Sequence, residues 1–190
     1  MSTNCTGWSV FELDTRKLIT YGIVVGKSIK DSSSYRRTLR KLEYMANSIL
    51  NLIENYKPQY IVVEEVAGSK NRISQKTLDM MHGILWKTID KYLDIVSYLD
   101  VSGAAGWRTL LDIRLNDADK LANAEARKIN KQLGASYTEL PIIGWKDLAC
   151  RYVNYNYSIV LNSQEQTTDG DIADSICLGS AWLKFKRQTT

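Results

Sequence analysis

Histidine is almost absent: His82 is the only one in 190 residues. Zinc centres and serine or cysteine hydrolases draw on imidazole as ligand or base, so this shortage leaves any chemistry to carboxylates and lysines. The three cysteines, Cys5, Cys150 and Cys177, are odd in number, far apart and without a CxxC pair, so neither a disulfide framework nor a cysteine zinc site is indicated. Two prolines and eleven glycines are too few for a fibrous or linker-dominated chain. No apolar run approaches the ~20 residues that span a bilayer. The opening MSTNCTGWSVFELDT lacks the basic start and apolar stretch of a signal peptide. A cytoplasmic protein with no membrane contact is expected. Against 21 Asp+Glu stand 25 Lys+Arg, a formal charge of +4, which is a mild lean toward polyanions.

What is present reads as one domain over 1–190, without repeats, low-complexity tracts or linkers. Between Thr6 and Val25 two β-rich runs flank the polar DTRK turn, the pattern of a hairpin. Leu39, Leu42, Met45, Ala46, Ile49, Leu50 and Ile53 then recur on one helical face, and Lys57-Pro58 ends that helix. Tyr60–Val66 reads as a buried strand that ends in acids. A helix from Asn71 or Ser74 to about Lys91 and a strand over Ile95–Val101 follow. Ala118–Leu133 and Lys146–Tyr157 look helical, Ile159–Leu161 is a short apolar segment, and a last helix is expected from Asp171 to Lys184. A hairpin followed by alternating strands and helices predicts an α/β fold with a mixed sheet.

The acids can now be placed. Glu64 and Glu65 stand at the exit of a buried strand, where neighbours point to opposite faces, so only one can enter a given site. Asp171 and Asp174, three apart on a helix, share one face, with Asp169 off it. Two carboxylates at that spacing repel unless a cation lies between them, and hard oxygen ligands suit Mg2+ or Mn2+. Taken alone, first-turn acids serve equally as helix caps, and a Glu-Glu pair at a strand end serves as a solvated edge.

The joint order of these segments resembles the RuvC-type Holliday-junction resolvases of the RNase H-like superfamily, and their phage-encoded members more than the cellular ones. Ser2 to Trp8 is similar to the Ser…Thr-Gly-hydrophobic stretch of the family's first strand, Val63-Glu64-Glu65-Val66 to its second acidic motif, Leu78 through Gly83 to its helix signature, and Asp171-Ile-Ala-Asp174-Ser175 to its closing Asp-x-Ala-Asp. Trp107-Arg108 is also similar to phage relatives. The resemblance implies an RNase H-like mixed five-stranded sheet flanked by helices, with 118–145 as an insertion. It implies metal-dependent hydrolysis of DNA phosphodiesters at four-way or branched junctions, on two Mg2+ or Mn2+ ions held by Glu64, Asp171 and Asp174 and assisted by Lys146. DNA contacts fall to Lys70, Arg72, Arg108, Arg114 and Arg151.

A junction has twofold symmetry, so a homodimer follows; by the resemblance its interface is the helix around Leu78–Tyr92, whose Met80, Met81, Leu85 and Trp86 serve equally for burial inside the monomer. The family's first metal-binding aspartate would stand immediately before the position of Met1. The reading frame upstream of Met1 is therefore expected to encode a few apolar residues and then Asp. The competing expectation is a catalytically impaired protein that binds branched DNA without cutting it. Trp8, Trp86, Trp107, Trp145 and Trp182 read as mainly structural.

Overall fold

The computed structural model describes residues 4–27, 30–65, 72–100, 106–133 and 139–186. The hairpin forms as expected: β1 (Cys5–Phe11) pairs antiparallel with β2 (Leu18–Val25), with a register shift between Val10 and Phe11. Helix α1 (Ser34–Tyr56) follows, capped by Ser33 and ended by Lys57 in the left-handed region just before Pro58. Strand β3 (Ile61–Glu64) runs parallel to β4 (Val96–Leu99), and α2 (Arg72–Thr88) and a 3-10 segment (Asp90–Ile95) lie between them. Then come α3 (Trp107–Leu110), α4 (Asp117–Leu133), α5 (Trp145–Tyr157) and α6 (Thr167–Lys186). No helix among the described residues is long and apolar enough to cross a membrane.

The alternation of side chains along the strands sorts the core into two sides. Val24, with Trp8 packed against it, meets Leu42 and Met45 of α1 and Met81 of α2. Ile61 and Val96 continue that side against Ala46, Ile53, Leu85 and Ile89. On the other side Phe11, Leu18 and Val62 pack on a cluster that includes Trp107, Leu148, Val153, Ala173, Ile176, Cys177 and Ala181. The strands thus lie between α1/α2 and α5/α6, and α6 is buried against both the hairpin and α5.

The expected five-stranded sheet is corrected: among the described residues the strands form two two-stranded sheets. One reason lies in asparagine side chains that stand in for ladder partners. Asn154 donates to the Leu161 carbonyl at 3.0 Å and accepts from the Leu161 amide at 2.9 Å. Asn123 pairs with Ile143, and Asn130 with Leu140, in the same two-way fashion. Backbone groups satisfied this way need no strand neighbour. Ile159–Leu161 is accordingly docked by Leu161 rather than paired, and 139–144 is strapped along α4.

The second correction concerns α6, which begins at Thr167 and not at Asp171. Asp169 occupies its first turn and accepts from the Asn162 amide at 2.9 Å. Asp171 and Asp174 therefore lie inside the helix and are not its caps.

Candidate active site

Strand β1 and helix α6 meet in register. The strand residues of one face, Cys5, Gly7, Ser9 and Phe11, advance about 7 Å per pair, close to the 6 Å of one i to i+4 step on a helix. Cys5 Sγ donates to Asp171 Oδ2 at 2.8 Å, and Ser9 Oγ donates to the Ser175 carbonyl at 2.9 Å. Gly7 lies so near the Asp171 backbone that an added Cβ would stand 1.9 Å from its carbonyl oxygen, and the Phe11 ring fills the space over Gly179. This seam fixes where Asp171 sits.

Glu64 shares its strand face with Val62, so it points to the α6 side, while Glu65 turns to the opposite one. Trp107, fully buried at the start of α3, donates its Nε1–H to Glu64 Oε1 at 3.0 Å. Across from it on α6, Asp174 is held by burial, and next by the Glu64 charge, so that its carboxyl pKa is pushed up to about 7, against the pull of Arg108 and Lys146. Asp174 Oδ1 is buried and has no hydrogen-bond partner. Lys146, from α5, donates to Asp171 Oδ1 at 2.8 Å, with its stem lying over Gly170. Burial lowers the pKa of that ammonium, yet the bond to Asp171 and the Asp174 charge outweigh it and leave it above its ordinary value. Lys146 is thus a fixed positive charge rather than a base at neutral pH.

Glu64, Asp171, Asp174 and Lys146 are therefore neighbours, although 110 positions separate Glu64 from Asp174. The cations expected to touch DNA are more dispersed. Arg108 lies beside Asp174, with its guanidinium carbon 4.9 Å from the ring centres of both Trp107 and Trp145. Arg72 is exposed at the start of α2. Arg114 pairs with Asp112 at 2.9 Å, and Arg151 donates to the buried Asp119 at 2.6 Å, tying α5 to α4. Lys70 lies outside the described residues, as do Ser2, Thr3 and Val66 of the motifs. Sequence reasoning left Trp107 among the structural tryptophans and gave Cys5 no role. The signal for Trp107 was its place just past a strand end, and for Cys5 its even spacing from Gly7.

The donor set suits a hard cation. Asp174 offers a desolvated oxygen without a partner, and Glu64 faces it as a second acid, an arrangement of like charge that a divalent ion neutralises. Asp171 is differently engaged, by Lys146 and Cys5. No group of three or more His, Cys, Asp or Glu side chains among the described residues is already arranged to hold a metal ion. Replacing Trp107 by Phe keeps a ring in the core but removes the donor that orients Glu64. Any activity that needs Glu64 is expected to fall about tenfold, with roughly 1–2 kcal/mol of stability lost. Mn2+ titrations and melting curves together check this, since a purely structural loss would leave the half-saturating metal concentration unchanged.

No protein-family profile matches the sequence, and no curated protein matches it. Among solved structures the chain is similar to T. thermophilus RuvC in complex with a Holliday junction substrate: 11% sequence identity, TM-score 0.52, covering 98% of this chain and 90% of that one. At that identity the likeness establishes a RuvC-like, RNase H-like fold.

Proposed function

We propose that this protein is a divalent-metal-dependent endonuclease that cuts four-way or branched DNA by phosphodiester hydrolysis. The observation that carries the reading is the meeting of a β3 acid, Glu64, with a buried, unpartnered α6 acid, Asp174, between two cations. The RuvC-like fold supports it, since the similar structure holds a Holliday junction.

Glu64 and Asp174, with Asp171, would hold Mg2+ or Mn2+, two ions per site. When bound, such ions activate a water and stabilise the departing 3′ oxygen. Trp107 orients Glu64 through its indole N–H. Arg108 and Lys146 place positive charge on either side of the acids, where a phosphate of the backbone would otherwise be repelled. Lys146, kept protonated beside Asp171, would offer positive charge to that phosphate. In-line attack would leave a 5′ phosphate and a 3′ hydroxyl.

Cutting two opposed strands needs two sites, so the working form is proposed as a homodimer through α2. The exposed Gly83 supports that choice. A glycine inside a helix costs about 1 kcal/mol relative to alanine, yet among the described residues no atom beyond its own stretch of helix lies within 4 Å of where its Cβ would be.

The test is cleavage of a synthetic four-way junction with Mg2+ or Mn2+. Symmetric cuts are expected near the crossover, none in EDTA, and a loss of at least about a thousandfold in Glu64→Gln. The second reading, a junction-binding protein that does not cut, is favoured by one observation, the commitment of Asp171 to Lys146. Tight binding without cuts under every metal condition would select it.

A further inference from the structure

Arg108 lies over two tryptophan rings. Its guanidinium carbon is 4.9 Å from the ring centre of Trp107 and 4.9 Å from that of Trp145. The two rings differ. Trp107 is fully buried and hydrogen-bonded to Glu64, whereas Trp145 is 48% exposed. The Arg108 guanidinium therefore touches one indole bonded to a candidate catalytic carboxylate and another that is half in water.

Little inside the fold requires the outer indole to be there. Fixing a large aromatic surface and leaving nearly half of it wet forgoes much of the burial a tryptophan offers. Arg108 Nε is buried without a hydrogen-bond partner, so the guanidinium is partly withdrawn from water where it meets the two rings. The next residue after Trp145 is Lys146, whose ammonium lies on Asp171. Positive charge and an exposed flat ring thus stand together beside Glu64, Asp171 and Asp174. A nucleotide combines the two complementary features, an anionic phosphate and a planar base. A paired base keeps its faces covered by its neighbours in the duplex, so the match is to an unpaired one.

Resting on the nuclease reading above, we propose that Trp145 is a stacking platform for an unpaired nucleobase next to the phosphodiester to be cut, its ring held by the Arg108 guanidinium. The charge of Arg108 and Lys146 then serves the phosphate of the same or the adjoining nucleotide. Selection of branched over plain duplex DNA follows, because only near a branch point are bases free to leave their stack.

The test measures binding by the full chain in EDTA, so that cleavage plays no part. The probes are a four-way junction carrying 2-aminopurine beside the crossover and a plain duplex of equal length. Trp145→Ala is expected to weaken junction binding about tenfold and duplex binding by less than about twofold. The native chain is expected to quench 2-aminopurine, Trp145→Ala to leave it bright, and Trp145→Phe to restore most of both signals. Equal affinity of Trp145→Ala and native chain for the junction would overturn the proposal, as would an equal loss on junction and duplex. A native chain that binds neither probe at low salt would defeat the nuclease reading itself, whereas native binding unchanged by the substitution defeats only the role of Trp145.

Discussion

Asp174→Asn is expected to abolish junction cleavage, by about a thousandfold or more, while making the folded chain more stable at pH 8. The two effects have one cause. Burial, and then the Glu64 charge, raise the Asp174 carboxyl from 3.8 to about 7. The folded chain therefore binds a proton more tightly than the unfolded chain does. Stability is greatest when both forms are protonated, below about pH 4, falls as pH rises from 4 toward 7, and is constant above that. At pH 8 the ionised, unpartnered carboxylate opposes folding by an amount on the order of 4 kcal/mol. The amide removes the charge at almost the same volume. A gain of several degrees in melting temperature is expected at pH 8 and none at pH 4. A divalent ion offers the native chain the same relief, so Mg2+ should raise its melting temperature at pH 8 and leave Asp174→Asn nearly unmoved. Melting curves at both pH values, with EDTA and with Mg2+, decide the matter. A less stable Asp174→Asn at pH 8, or one that still cuts, would contradict the geometry of the site.

That site was legible as residue types in order, because hard-ligand chemistry leaves acids at strand ends and at helical spacing. The choice between Glu64 and Glu65 was left open by alternation alone. It required knowing which face meets α6, a fact carried by Val62 and Ile61 packing on opposite sides. The start of α6 was misplaced because an acid pair resembles a first turn, whereas Thr167, Thr168 and Asp169 extend the helix upstream. The sheet was overdrawn for a related reason. Apolar content marked Ile159–Leu161, but the partner of the Leu161 backbone is the Asn154 side chain, seven residues earlier, a choice that hydropathy does not encode. Trp107 was missed because a tryptophan reads as core, and it does pack there; Cys5, half-buried, was missed because a lone cysteine carries no motif. Their polar atoms, aimed at Glu64 and Asp171, become visible only in three dimensions.

The seam between β1 and α6 carries the last large expectation, that Gly7→Ala costs about 3 kcal/mol or more and misplaces Asp171. The ideal Cβ would lie 1.9 Å from the Asp171 carbonyl oxygen, 2.4 Å from its carbon and 2.9 Å from the Ile172 nitrogen. All three are backbone atoms of a helix interior and cannot swing aside. The strand and helix must part instead, by more than an ångström. That movement would also strain the Cys5 bond to Asp171 and the Ser9 bond to the Ser175 carbonyl. Gly170→Ala supplies the contrast. Its Cβ would meet Lys146 Cδ at 2.5 Å and Cγ at 2.9 Å, which can turn away, and Lys146 Cβ at 2.8 Å, which moves only with α5. Stability should then fall by less than for Gly7→Ala, while the Lys146 pairing with Asp171 loosens. Thermal melts that place Gly7→Ala within a few degrees of the native chain would mean that the Thr-Gly stretch of β1 serves something other than this close approach. A clearly larger drop for Gly7→Ala than for Gly170→Ala would identify the strand glycine as the residue that lets α6 bring its acids to Glu64.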